Sequence, residues 1–148
     1  LITNLDFQSS AILRLSSPIG VGMQENRIFY QMIKNINNQR DFEFFGDINR
    51  LQNYIDIRDV VENIILSIGT KELTGTFYLS STYSISNISL FNELLEALKI
   101  TVGYKHNVKY EEVGLDISSP RERLLFPEKK YKSYSETAKW ILNEDFRF

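Results

Sequence analysis

The chain has 148 residues, of which 43% are hydrophobic and 24% are charged, as is typical of a folded globular protein. Its net charge of −2 and its scattered basic residues argue against a nucleic-acid partner. The absence of cysteine excludes disulfides, thiolate metal sites and a cysteine nucleophile. With one histidine, His106, which we expect on the surface, neither a histidine-rich metal site nor a Ser-His-Asp triad is predicted.

No stretch of the sequence approaches the ~18 apolar residues of a membrane span, and no basic-then-apolar signal segment opens it. We therefore expect a cytoplasmic protein without a membrane partner. The first residue is Leu1 rather than methionine, and residues 1–7 lack a helix cap. We expect the chain to begin inside an element of something longer.

Strands and helices alternate along one predicted domain, which favours an α/β or mixed α+β fold. The short apolar or alternating pattern of strands occurs in five segments: 10–17, 42–45, 53–57, 75–81 and, more weakly, 107–113. The apolar periodicity of helices occurs in four segments: 25–36, 58–69, 89–103 and 134–144. The second helix is marked by an apolar stripe: Val60, Val61, Ile64, Ile65 and Ile68.

Residues with capping preferences mark the ends of these helices. Asp56 and Ser89 are the expected N-caps of the second and third helices, and Gly69 is the expected C′ residue of the second. Ser133-x-x-Glu136 has the spacing of a capping box at the start of the fourth.

Two motifs suggest a nucleotide cofactor, but each is incomplete. Gly20-Val21-Gly22 follows a predicted strand like the first half of a G-x-G-x-x-G loop, but Glu25 occupies the position of the third glycine. We therefore favour a glycine-rich turn leaving a strand. Tyr30-x-x-x-Lys34 has the spacing of a dehydrogenase acid/base pair, but such spacing arises by chance in any helix with both residues. We favour a half-buried tyrosine and a solvated lysine there.

Two further features are candidate contacts for a ligand that carries phosphates and a base. Arg121 and Arg123 lie in a predicted loop, where guanidinium groups match phosphate oxygens or are simply solvated. In the strand 42–45, alternation places Phe42 and Phe44 on one side, where they pack. Phe45 then faces the other way and is a candidate for stacking on a base.

In chain order, "ILRLSSPIGVG", "NRIFYQMI", "FFGDINRLQNYIDIRDVVENII" and "GTFYLSS" resemble the second half of extended short-chain dehydrogenases, the NAD-dependent nucleotide-sugar epimerase/dehydratase family. The resemblance covers residues 10–98 well and 99–148 through order alone. In that family the glycine loop and the catalytic Tyr-x-x-x-Lys pair precede the first of these blocks. The resemblance thus implies a C-terminal, substrate-binding portion of a longer enzyme without its NAD-binding part, and makes the Tyr-Lys spacing noted above a coincidence.

The resemblance also implies which residues bind a nucleotide sugar. The family's contacts fall on Ser17, Asn26, Phe45 and Gln52, and on Arg121 or Arg123, whose register is open. Two positions depart from the pattern, since the family has asparagine at Ser17 and a phosphate-binding arginine at Gln52. The family's following aspartate falls on Asn53. Arg50 compensates for Gln52 if the local strand is regular, because both side chains then share one face.

The resemblance implies a domain that binds the nucleotide diphosphate and orients the sugar, with no catalytic residue and no metal. It further implies that NAD or NADP is the cofactor of the full-length enzyme and that this chain alone binds neither. We expect the isolated chain to be inactive. One alternative, favoured by Ser17 and Gln52, is the C-terminal part of a related NADPH-dependent reductase with a non-nucleotide substrate. Another is a non-catalytic binding domain. Two strands, 10–17 and 75–81, would belong to a Rossmann sheet, so we expect pairing with the missing N-terminal half or a homo-oligomer.

Overall fold

The computed structural model describes residues 10–70, 72–108 and 124–145. In this part of the chain there are eight strands: β1 Ala11–Leu15, β2 Ser17–Ile19, β3 Phe42–Phe45, β4 Leu51–Gln52, β5 Tyr54–Asp56, β6 Gly75–Leu79, β7 Ile85–Ser86 and β8 Tyr104–Asn107. The same part holds four helices: α1 Ile28–Asn37, α2 Ile57–Gly69, α3 Asn87–Leu98 and α4 Tyr134–Asp145. The alternation confirms the predicted mixed α/β class.

The strands form four two-stranded sheets. The pairs β1–β6, β2–β5 and β3–β8 are parallel, whereas β4–β7 is antiparallel. Each parallel pair is joined by a connection that contains a helix, as parallel strands require. The register places Ser17 beside Tyr54 and Phe45 beside Asn107.

The larger hydrophobic core lies between α1, α3, α4 and β3. On α1 the apolar side chains recur every three or four residues, so one face of the helix is buried. Phe44 of β3 joins that core through edge-on contacts with Phe42 and with Phe91 of α3, and Phe42 packs on Phe91 with its ring tilted by 31°. Removing such large side chains from water stabilises the fold by roughly 1.5–3 kcal/mol each. β3 is thereby fixed against the helices.

A charged cluster ties the segment after residue 124 to α2. Asp59 is fully buried, and its carboxylate accepts hydrogen bonds from Lys129 Nζ at 2.7 Å and from the Lys132 amide at 2.8 Å. Lys132 Nζ lies 3.1 Å from the same carboxylate, and Glu62 pairs with Lys129 at the surface. Because the buried charge is met by two cations and an amide, the cluster fixes this segment on the helix.

The start of α2 is capped as predicted. Asp56 precedes the helix in extended conformation, and its Oδ1 accepts a hydrogen bond from the Arg58 amide at 2.8 Å. The same carboxylate accepts from Thr137 Oγ1 of α4 at 2.6 Å. The guanidinium of Arg58 lies 3.9 Å from the ring centroid of Trp140. The cap therefore also joins α2 to α4.

Of the other three predicted helix ends, two are wrong by two or three residues and one is right. The N-cap of α3 is Ser86 rather than Ser89, since the Ser86 hydroxyl accepts from the Ser89 amide at 3.2 Å. Serine occurs at both positions, and only the pairing of Ser86 in β7 selects between them. Gly69 is the last residue of α2 rather than its C′ residue. The capping box of α4 is confirmed by reciprocal hydrogen bonds of 2.8 and 3.2 Å.

Two strand predictions also need correction. The segment 10–17, predicted as one buried strand, divides at Ser16 into β1 and β2, and most of β1 is exposed. Among the described residues β1 pairs with β6 alone, so its apolar side chains are not covered from both sides. The strand predicted at 107–113 lies earlier, at β8; residues 109–113 fall outside the described residues. An exposed strand such as β8 carries no apolar pattern of its own, and its position follows from pairing with β3.

The segment with the predicted apolar stripe is helical, as α2, but Val60 is the one residue of that stripe that is buried. The other side of the helix exposes large apolar side chains, up to 81% for Ile68: Val61, Ile64, Ile65, Leu66 and Ile68. A contiguous run of this kind is more than a folded surface usually leaves in water. Within the described ranges, no helix is long and apolar enough to cross a membrane.

Candidate functional site

A cleft of about 820 Å³ lies where β2, β3, β4 and β5 meet the starts of α1 and α3. Five of the seven residues predicted to bind substrate line this cleft: Ser17, Asn26, Phe45, Arg50 and Gln52. Arg121 and Arg123 lie outside the described residues. Residues up to 35 positions apart in sequence are thus brought to one surface, from Ser17 to Gln52.

One wall of the cleft is the turn after β3. Phe42 and Phe44 are buried, whereas Phe45 is 61% exposed, as the alternation predicts. Gly46 follows with φ of 77°, a left-handed conformation that favours glycine. His106 of β8 is exposed, as expected, and its Nε2 donates to the carbonyl oxygen of Gly46 at 2.7 Å. This histidine therefore positions the turn, a role that the sequence does not indicate.

The floor of the cleft alternates along β4 and β5. Arg50, Gln52 and Tyr54 are two residues apart and all line the cleft. Asn53 points away and is fully buried. Its Nδ2 donates to the carbonyl oxygens of Ser81 at 3.1 Å and of Tyr83 at 3.0 Å. The Ser81 amide in turn donates to Asn53 Oδ1 at 3.0 Å, so Ser81 is bonded to both polar atoms of the Asn53 side chain.

Tyr54 contributes a neutral phenol to the floor. Burial raises the pKa of Tyr54 far above its ordinary value, and the neighbouring Tyr134 raises it further, whereas the positive charge of Arg50 opposes the shift. Its ring packs against Phe29 at 5.4 Å and Tyr134 at 5.9 Å between centroids. The ring is thus fixed in the core, at a position where the residue also lines the cleft.

The glycines that resemble a cofactor loop have structural roles. A Cβ at Gly20 would lie 2.5 Å from Ile57 Cγ2 and 3.1 Å from the Trp140 ring, so only glycine allows β2 to approach α2 and α4 this closely. Gly22 has φ of 78° in the turn before α1. Both glycines thus have the roles that the interpretation as a glycine-rich turn leaving a strand expects.

The Tyr30-x-x-x-Lys34 pair does not belong to the cleft. Tyr30 is buried in the core on α1, and Lys34 Nζ forms an ion pair with Glu25 at 3.0 Å. Neither side chain is among those lining the cleft. The tyrosine is thus buried rather than half-buried, and the lysine is ion-paired rather than simply solvated. Among the described residues no group of three or more His, Asp or Glu side chains is placed to hold a metal ion.

Among the cleft residues that the sequence does not predict, three are notable for their buried polar atoms. In the described part of the chain, the buried side-chain polar atoms without a hydrogen-bond partner are Ser16 Oγ, Tyr54 Oη and Asn87 Oδ1, and all three residues line this cleft. For Tyr54 a signal was available, because it continues the alternation of Arg50 and Gln52. For Asn87, at the start of α3, nothing in the sequence pointed to the cleft.

The fold is shared with solved structures of nucleotide-sugar enzymes. A UDP-glucuronic acid 4-epimerase from Bacillus cereus, in complex with UDP-glucuronic acid and NAD, superimposes with a TM-score of 0.70 at 16% identity over 90% of this chain. A GDP-L-fucose synthetase from Naegleria fowleri gives 0.73 at 17% identity over 94%. A UDP-glucose 4-epimerase from Thermotoga maritima, with UDP-glucose, gives 0.71 at 16% identity over 93%.

The chain has the fold of the C-terminal part of these epimerases. It spans 45%, 47% and 46% of the three chains, respectively, so it corresponds to about half of each. Neither the protein-family models nor the sequences of curated proteins give a match to this chain.

Proposed function

We propose that this chain is the substrate-binding portion of an NAD(P)-dependent sugar-nucleotide epimerase or dehydratase, and that its cleft binds the nucleotide diphosphate and orients the sugar. The observation that carries the proposal is the convergence of the five predicted residues on one cleft, although they come from four different segments of the chain. The fold comparison supports the same assignment, since the epimerases cited above were solved with UDP-glucuronic acid and UDP-glucose.

Each wall of the cleft has chemistry suited to one part of such a ligand. The exposed ring of Phe45 offers a flat apolar surface on which a base stacks. Arg50 supplies a guanidinium for the diphosphate, and Gln52 beside it supplies a neutral amide. Ser17 and Asn26 supply further short polar groups to the lining. These residues bind and orient; we assign none of them to the hydride chemistry.

In the proposed full-length enzyme, NAD or NADP would carry the hydride between cofactor and sugar. The dinucleotide would be held by a portion that precedes the described residues, because Gly20 and Gly22 are committed to packing and to a turn. On this proposal the chain of 148 residues alone has no turnover. Turnover is expected when the chain is combined with the NAD-binding portion of the enzyme.

A second candidate function is favoured by a specific observation. At Gln52 and Ser17 the cleft carries neutral side chains where the resemblance expects a phosphate-binding arginine and an asparagine. A related NADPH-dependent reductase with a non-nucleotide substrate has no need of that arginine. The charge of Arg50 on the same face favours the nucleotide sugar, and for this reason we place the reductase second.

The experiment is a thermal-shift titration of the purified chain with UDP, dTDP and GDP, each up to millimolar concentration. The proposal predicts a saturable rise in the melting temperature with at least one of them. Phe45→Ala should abolish the rise, whereas Val108→Ala, at a similarly exposed apolar residue outside the cleft lining, should preserve it. The absence of any shift with all three diphosphates would favour the reductase.

A further inference from the structure

The three buried polar atoms without a partner are the basis of an inference that rests on the proposed function and goes beyond it. Native proteins satisfy the great majority of their buried polar groups, so exceptions have a reason. Here all the exceptions found in the described ranges lie along one cleft. They come from three separate elements, since Ser16 joins β1 to β2, Tyr54 opens β5 and Asn87 opens α3.

The chemistry of Asn87 restricts what the cleft can bind at that point. Its Nδ2 donates to the carbonyl oxygen of Asp47 at 3.3 Å, which fixes the orientation of the amide. The remaining atom, Oδ1, can only accept a hydrogen bond. An ionised phosphate oxygen has no proton to donate, so it cannot satisfy this atom. The ligand group at Asn87 therefore carries an O–H or an N–H.

The hydroxyls of Ser16 and Tyr54 can donate or accept. A ligand with several hydroxyl groups offers both functions at each contact, as a sugar does. The ring of Tyr54 is held between Phe29 and Tyr134, and it directs the hydroxyl without the loss of side-chain freedom that a surface residue would incur on binding.

We propose that Ser16, Tyr54 and Asn87 bind the hydroxyl groups of the sugar-nucleotide ligand, with Asn87 Oδ1 accepting from a ligand donor. The three residues form a polar set distinct from the diphosphate contact of Arg50. In the ligand-free protein the three atoms destabilise the fold, because each is buried without a hydrogen bond. Binding restores the missing bonds, so ligand affinity is gained at positions that weaken the free protein.

Tyr54→Phe and Tyr134→Phe form a matched pair that tests this proposal. Both tyrosines are buried, and their rings touch. The hydroxyl of Tyr134 donates to the carbonyl oxygen of Tyr83 at 3.0 Å, whereas that of Tyr54 has no partner. In the ligand-free chain, Tyr54→Phe should leave the melting temperature unchanged or raise it, and Tyr134→Phe should lower it. An equal loss in both variants would show that Tyr54 Oη has a protein partner and would overturn the proposal.

The second readout is the dissociation constant for UDP-glucose, measured by titration calorimetry on the full chain. Tyr54→Phe and Ser16→Ala should each raise it roughly threefold to tenfold, the effect of one lost hydrogen bond, and Tyr134→Phe should leave it unchanged. Unchanged affinity in both Tyr54→Phe and Ser16→Ala would mean that these atoms serve only buried water and would overturn the inference alone. If the unmodified chain binds neither UDP-glucose nor GDP- and dTDP-sugars, the proposed function fails, and this inference with it.

Discussion

Asn53 and Ser81 hold each other through two hydrogen bonds, one in each direction. Asn53 Nδ2 donates to the Ser81 carbonyl oxygen at 3.1 Å, and the Ser81 amide donates to Asn53 Oδ1 at 3.0 Å. The pair ties the floor of the cleft to the loop after β6, next to the lining residues Gln52 and Tyr54. An aspartate, which the resemblance expects at this position, could form only the second of these bonds.

We therefore predict that Asn53→Asp destabilises the chain, although it restores the expected residue. The substitution would place a buried carboxylate against the carbonyl oxygens of Ser81 and Tyr83, at a cost of about 3 kcal/mol or more in the free energy of unfolding. Urea unfolding at pH 7 measures this loss in the free energy of unfolding. Asn35→Asp is the matched control, because Asn35 donates one local bond in a half-buried helix position and should lose less. Equal losses would contradict this role of Asn53.

The cluster around Asp59 predicts how stability depends on pH. Burial alone would raise the pKa of Asp59, but hydrogen bonds from Lys129 and Lys132 outweigh it and hold the pKa below its usual value. A carboxyl group whose pKa is lowered by folding stabilises the protein above its unfolded pKa of about 3.9, and that contribution is lost as pH falls through the folded value. Stability should therefore decline below about pH 4.

Asp59→Asn should lower the free energy of unfolding at pH 7 by about 2–3 kcal/mol and flatten the acid limb of the profile. Asp56 has a lowered pKa as well, so part of the limb should remain. Glu62→Gln is the control on the same helix, since Glu62 pairs with the same Lys129 at the surface and should cost less than about 0.5 kcal/mol. An unchanged acid limb in Asp59→Asn would argue against the cluster as its origin.

The neutral floor of the cleft predicts a gain of affinity on substitution. Gln52→Arg would place a second guanidinium on the face of Arg50, and a charge-assisted hydrogen bond of about 1.5–3 kcal/mol corresponds to at least a tenfold tighter binding of UDP. Titration calorimetry at fixed ionic strength measures the change. Gln39→Arg adds the same charge at an exposed site outside the cleft lining and should have little effect. Equal affinities for UDP in the unmodified chain, Gln52→Arg and Gln39→Arg would argue that no diphosphate reaches Gln52.

The exposed apolar side of α2 predicts self-association. Ile65 and Ile68 are 62% and 81% exposed, and a surface of this kind is usually covered by a partner. Light scattering should show a mass above 17.3 kDa at high protein concentration. The double variant Ile65→Lys/Ile68→Lys should reduce that mass, whereas Val108→Lys, at another exposed apolar residue, should not. A monomer at all concentrations would contradict the prediction.

The sequence predicts the structure best where a pattern within a single helix or strand determines that element. The capping box at Ser133 and Glu136 and the apolar face of α1 are local patterns, and both have the predicted form. The exposure of Phe45 follows from alternation within four residues. By contrast, β8 and the N-cap of α3 depend on pairing with distant strands, which periodicity does not encode.

The same distinction applies to the cleft. A family pattern assigns a role to the positions of four residues, and alternation adds Arg50 on the face of Gln52; the structure brings all five to one surface. Ser16 and Asn87 were missed because their importance lies in a missing partner, a property of the folded arrangement rather than of the sequence. His106 was interpreted as a surface residue, and its bond to Gly46 depends on the parallel pairing of β3 with β8.

The most direct test of the central claim locates the ligand on the chain. A ¹H–¹⁵N correlation spectrum of the labelled protein, titrated with UDP-glucose, reports where binding occurs at each backbone amide. The account predicts saturable shifts at Ser17, Gly46 and Gln52 in the cleft, and none at Ile65 or Ile68 on the exposed side of α2. With GDP- and dTDP-sugars titrated in the same way, the absence of any saturable shift in the cleft would contradict it.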